Sequence, residues 1–228
     1  VIVHDAILTV IASLAQARRV WEAGGMPLVA LALCVVYLLL VFGLRSLLRR
    51  RSTGSSGMTP PAGRGYEEGA ADALFLVGLV LDLGAPLLVI AGALPMYDPL
   101  AGTTTAVVGS LVFAGAIALA LVAQREMGAA WRTGVVAGAD DPLVTSGPFA
   151  LVRHPVYTAT LAASLAVALI VPTALAVLAL AACVAGLELQ TRAVEEPHLL
   201  RRHGDAYRAY ARRTGRFAPL LGRLRAPR

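Results

Sequence analysis

Four apolar blocks constrain this chain more than any other feature of it. They run Met26–Leu44, Ala70–Leu94, Thr103–Ala123 and Val156–Leu189. A bilayer core needs about 20 apolar residues per helix, so each of the first three blocks is one membrane span. The fourth has room for two short helices, and Pro172 stands at its middle (SLAVALIVPTALAVLAL). Proline lacks a backbone donor and clashes with the turn before it, which predicts a helical hairpin or a strong kink there. The expected fold is all-α: a polytopic membrane helix bundle of about five spans, the last two a hairpin, followed by a cytosolic C-terminal helix. Composition agrees, with 57% apolar and 15% charged residues, against about 45–50% and about 25% in soluble domains.

Charge supplies an orientation. Every basic residue other than histidine is arginine. Arg45, Arg49, Arg50 and Arg51 follow the first block, and Arg125, Arg132 and Arg153 separate the third from the fourth. Ten more lie between Arg192 and Arg228, whereas the loop Pro95–Gly102 (PMYDPLAG) has none. The excess of arginine on cytoplasmic loops places the tail and the 124–155 segment in the cytoplasm, with Arg18 and Arg19 in weak dissent. The net charge of +6 does not indicate nucleic acid, because the arginines flank spans and no aromatic-interleaved platform accompanies them. Membrane lipids are the expected partners. Cys34 and Cys183 fall in separate apolar blocks, which gives neither metal-ligand spacing nor an expected disulfide.

Three regions follow. Residues 1–25 read as an interfacial segment without the order of a signal peptide. Residues 26–123 hold three spans and a Gly/Ser/Pro-rich connection at 51–69. Residues 124–228 form the expected catalytic core: a cytosolic loop, the hairpin 156–189 and the C-terminal helix.

Within that core, SGPFALVRHPVY sets Gly147-Pro148 as a turn, with Asp140 and Asp141 as turn or cap residues before Pro142. Arg153 and His154 then meet the mouth of the hairpin. Such a loop suits a small-molecule site, since free backbone polar groups point inward. It equally suits an arginine on lipid phosphate and a histidine at a helix end. After the hairpin, Glu195 and Glu196 precede Pro197, where a helix should break or restart. Glu196, Leu199/Leu200, His203, Tyr207 and Tyr210 advance in steps of three or four, along one side of a helix. An interfacial amphipathic helix accounts for the arginines of this segment. It does not account for two carboxylates beside an anionic leaflet, which need a cationic partner. Asp82, inside the second block, is either functional or a hydrogen-bonded packing residue, and the second reading is preferred.

Together, Gly147-Pro148-Phe149, Arg153-His154-Pro155-Val156-Tyr157, Glu195-Glu196, Gly204, Tyr207 and Tyr210 resemble the pattern of the isoprenylcysteine carboxyl methyltransferase family. These are integral-membrane enzymes that use S-adenosylmethionine and are related to phospholipid N-methyltransferases. MGAAWRTGV, Met127 to Val135, resembles a segment of bacterial members. The chain departs from the pattern at His203, where the family usually has Phe, and the resemblance covers roughly the C-terminal half.

The resemblance implies S-adenosylmethionine as cofactor. It places His154, Tyr157, Glu195 and Glu196 at the cofactor, with Gly147, Pro148 and Tyr207 lining its pocket. Arg153 and Arg192 become candidates to orient an anionic acceptor, because guanidinium matches carboxylate geometry, and Arg132 is a weaker third. An amine acceptor would have to lose a proton, which makes Glu195 or His154 a candidate base. The acceptor is expected to be lipophilic and to enter from the bilayer. Two other readings remain open: a sterol-type reductase using a nicotinamide cofactor, disfavoured by Pro155 where such enzymes place Asn, and a non-catalytic membrane scaffold.

Overall fold

The computed structural model describes residues 25–54, 65–97, 99–128 and 142–224. The interfacial segment, Arg132, Asp140, Asp141, and most of the connection and of the Met127–Val135 stretch lie outside the described residues. Among those described, all the regular elements are helices. We number them α1 (Gly25–Arg51), α2 (Tyr66–Ile90), α3 (Thr103–Met127), α4 (Pro155–Ile170), α5 (Ala174–Leu189) and α6 (Glu196–Arg213). Helices α1, α2 and α3 and the α5–α6 run are long and apolar enough to cross a membrane. At 16 residues, α4 reaches about 24 Å, somewhat less than a hydrocarbon core. The fold is the expected all-α polytopic bundle.

The fourth block forms the expected hairpin. α4 ends at Ile170, and Thr173 caps α5 by accepting a hydrogen bond from Ala176 N at 3.2 Å. The carbonyl of Pro172, left free by the turn, accepts from Tyr97 N at 2.9 Å. The hairpin turn therefore meets the arginine-free α2–α3 loop at one end of the bundle. The start of α4, with Arg153, lies at the other.

Small residues set the helix spacing. A Cβ on Gly186 of α5 would stand 2.8 Å from Phe75 N and 2.9 Å from Ala71 O of α2. A Cβ on Gly109 of α3 would stand 3.0 Å from Ala166 O of α4. Close backbone approach supplies packing that lipid-exposed helices cannot obtain from the hydrophobic effect. At the centre Tyr37 meets Phe113 edge to face, with centroids 6.0 Å apart, and its hydroxyl bonds Thr160 Oγ1 at 2.9 Å.

Asp82, 7% exposed, accepts a hydrogen bond from Ser164 Oγ at 3.0 Å, and Cys183 Sγ approaches its other oxygen at 3.9 Å. This is the packing arrangement preferred from sequence, and both cysteines are free and buried.

Two stretches widen to π-helix: Leu39–Leu44 within α1 and Gln190–Glu195 between α5 and α6. A π turn disrupts the regular ladder and leaves a carbonyl needing an outside donor. Buried Gln124 of α3 donates to Val41 O at 2.8 Å. The second π stretch decides the expectation of a break or restart before Pro197 in favour of a restart: the helical run is unbroken there, and α-helix begins again at Glu196 with Pro197 in its first turn. The interruption comes instead at Gly204, whose φ of 51° and ψ of −120° belong to glycine alone. His203 stands before this kink and the tyrosines after it, so the predicted face is not continuous. Leu199, Leu200, Tyr207, Tyr210 and Ala211 still form one apolar cluster.

Candidate active site

Three stretches of chain converge where α4 begins: residues 146–158, the π turn with the start of α6, and the segment after α6. Gly147 has φ 55°, which turns the chain into the short 3₁₀ helix Gly147–Ala150. Phe149 is buried, and its carbonyl accepts from Tyr210 Oη at 2.7 Å. Val152 bridges to Gly215. Arg153 N then donates to Gly215 O at 2.8 Å and His154 N to Arg216 O at 3.2 Å. Thr158, in the first turn of α4, donates its hydroxyl to Phe217 O at 2.8 Å. The segment after α6 is thereby strapped across the mouth of the hairpin.

Arg153 is the hub of this strap. All five of its side-chain N–H groups have protein acceptors. Nε and Nη2 donate to Glu196 Oε1 at 3.2 and 2.6 Å. Nη1 donates to the carbonyls of Ala211 at 3.2 Å and Thr214 at 2.6 Å, and Nη2 also to Gly222 at 3.0 Å. Glu196 is held from the other side by Arg216, which donates Nε to Oε1 at 2.9 Å and Nη2 to Oε2 at 2.8 Å. The carboxylate lies between two guanidinium forks and is 12% exposed. Arg153 has no donor left for an acceptor molecule, and the cation that Glu196 required is supplied by the protein itself.

Next to this clamp stand His154, Tyr157 and Glu195. His154 Nδ1 is 3.2 Å from Glu195 Oε2, and Tyr157 Oη donates to Glu195 Oε1. The His154 and Tyr157 rings lie parallel with centroids 5.7 Å apart, and Phe217 meets His154 edge-on at 6.0 Å. Burial opposes charge on the imidazole, but the Glu195 and Glu196 carboxylates beside it outweigh that and raise the His154 pKa above its ordinary 6.5. His154 Nε2 is 3.7 Å from Glu196 Oε1, too long for a hydrogen bond. Among the described residues it has no partner, and neither has Tyr207 Oη or Gln190 Oε1, all three buried. Buried polar atoms left unpaired in this way are uncommon in native proteins.

The structure thus brings together Arg153, His154, Tyr157, Glu195, Glu196 and Tyr207; the Gly147-Pro148 turn precedes them in the chain, with Gly147 against the Glu126 side chain of α3. Arg192 is set apart: it is 64% exposed and donates through Nε to Glu188 one turn earlier. Sequence reasoning passed over Glu188, Thr214, Phe217 and Arg216. Arg216 looked like one of ten tail arginines, and its only distinguishing signal is a position just past the α6 helix, in TGRFAP.

Compared with known proteins, residues 104–206 match the family model described as phospholipid methyltransferase. No curated protein matches the chain. The matched range takes in α3, the hairpin, the π turn and the first part of α6 as far as Ala206, and so contains every predicted site residue except Tyr207.

Proposed function

We propose, from the match of residues 104–206 to the phospholipid methyltransferase family model, that the protein moves a methyl group from S-adenosylmethionine to a lipophilic acceptor. The family supports membrane methyl transfer in general. The finer assignment rests chiefly on the unpaired buried atoms His154 Nε2 and Tyr207 Oη, together with a carboxylate, bound to the other nitrogen of His154, that still reaches solvent. Glu195 is that carboxylate, 20% exposed, and it suits the ammonium or ribose hydroxyls of the cofactor.

Bound there, the cofactor would supply a sulfonium methyl, whose C–S bond breaks as the acceptor's bond to that carbon forms, the electron pair leaving on sulfur. The chain's own contribution is positioning and exclusion of water, since the reacting atoms must be held about 3–3.5 Å apart. Glu195 holds the cationic side of the cofactor, and His154 and Tyr157 orient Glu195. Gly147 and Pro148 let the backbone approach, and Tyr207 closes the far wall.

Arg153 and Glu196 serve as the clamp beneath this site, not as direct ligands. Arg192 keeps the role of orienting an anionic acceptor, because only its Nε is engaged among the described residues. An acceptor that arrives as a carboxylate or thiolate needs no base. An amine acceptor would pass its proton to Glu195, the ionisable group with open access. The site lies on the arginine-rich end of the bundle, which the positive-inside rule assigns to the cytoplasm.

The test is calorimetric titration of the purified protein with S-adenosylhomocysteine, with NADPH in parallel. Binding of the first alone, lost in Glu195→Gln, supports methyl transfer. Binding of NADPH alone would mean a reductase, and binding of neither would favour a non-catalytic scaffold.

A further inference from the structure

Arg216 lies beyond the matched residues 104–206, yet its side chain reaches both ends of the π turn. Its Nε and Nη2 grip the two oxygens of Glu196, the first residue of α6, at 2.9 and 2.8 Å. Its Nη1 reaches Glu188 Oε2, near the end of α5, at 3.4 Å. The turn between them, Gln190–Glu195, carries both Arg192 and Glu195. Glu188 Oε2 also receives Arg192 Nε, so one oxygen is shared by the two arginines. The backbone of Arg216 is fixed independently: its N donates to Leu221 O at 2.7 Å and its carbonyl accepts from His154 N. With 12% of its side chain exposed, the pair with Glu196 is not a screened surface contact of small effect.

We propose that Arg216 is a positioning residue for the candidate methyl-transfer site: by holding Glu188 and Glu196 together it fixes the π turn, so that Glu195 meets His154 and Tyr157 while Arg192 stays seated on Glu188. A single planar guanidinium can hold two carboxylates at fixed angles, which a lysine ammonium on a flexible stem cannot. The proposal rests on the methyltransferase reading for its functional consequence, but not for its geometry.

The experiment uses the full chain in lipid nanodiscs, as wild type, Arg216→Lys, Glu188→Gln and the double variant. Three quantities are read: S-adenosylhomocysteine affinity, amide hydrogen exchange along the chain, and thermal unfolding. In Arg216→Lys, affinity should fall about tenfold, as for other outer partners that orient a binding group. Exchange should quicken in residues 190–196 while the hairpin stays protected, because Glu196 retains Arg153. The two substitutions should be less than additive in binding, since both act through one turn. Unchanged exchange at 190–196 in Arg216→Lys would overturn the proposal. So would exchange quickened throughout the bundle, which marks a general structural role. If the wild type fails to bind S-adenosylhomocysteine, the methyltransferase reading falls, while local exchange at 190–196 still decides whether Arg216 pins the turn.

Discussion

Arg153 and His154 are neighbours in sequence with opposite tasks. Arg153 points its guanidinium into a set of acceptors that uses all its donors, so removing it would take a donor from three backbone carbonyls, of which Ala211 keeps Leu224 N, and loosen Glu196. Arg153→Met should cost about 3–5 kcal/mol, the range for breaking a buried ion pair from one side, read as a lowered unfolding temperature. His154 gives a pH signature. Its folded pKa is raised, so its contribution to stability is complete below the ordinary histidine value. That contribution is lost as pH rises through the folded pKa. Thermal unfolding of wild type and His154→Gln should therefore converge as the pH is raised above 6.5, and a gap that widens instead would contradict the assignment. The facing groups are Glu195, Glu196, Tyr157 and Phe217. Of these residues, the Arg-His-Pro turn and the paired glutamates were legible in sequence. Their division into clamp and exposed carboxylate was not, because it depends on where Arg216 and the carbonyls of residues 211, 214 and 222 arrive from.

The elements owe their geometry to a few positions where glycine or a π turn is required. At Gly204 a Cβ would meet no neighbouring atom within 4 Å, so any cost of Gly204→Ala comes from its backbone angles. We expect a loss of about 1–3 kcal/mol and faster exchange across residues 203–211, as the tyrosines lose their seat. Gly186→Ala presents the opposite case, an ordinary helical residue with no space. Its new Cβ would press on the α2 backbone and should destabilise the bundle by about 1–3 kcal/mol, measured by thermal unfolding in detergent. Periodicity predicted one continuous face along the last helix. It failed at His203–Gly204 because a hydrophobic repeat does not reveal a single residue with positive φ. The hairpin was legible for the converse reason: proline at the midpoint of an overlong apolar block has few other solutions.

At the scale of the molecule, the two arginine-free turns meet through Tyr97 and Pro172, and the candidate site lies at the other end. If that end is cytoplasmic, a cysteine placed at Leu100 should react with a membrane-impermeant maleimide in intact cells. One placed at Leu220 should react only after permeabilisation. The reversed pattern would invert the topology. The native cysteines are buried and would give little background.

Apolar block length, a proline at the centre of the fourth block and the arginine distribution determined by themselves that this chain is a helical membrane bundle with a hairpin. The reason is that a bilayer leaves the backbone few ways to satisfy its hydrogen bonds. The ordered motifs likewise brought most of the candidate site residues into view. Only the tertiary structure decided which carboxylate is enclosed and which is open, that the last helix kinks at Gly204, and that Arg216 joins the site. Those outcomes depend on hydrogen bonds between residues far apart in the chain, such as Arg216 to Glu196 and Arg153 to Gly222, and no local pattern encodes which partners such donors will meet.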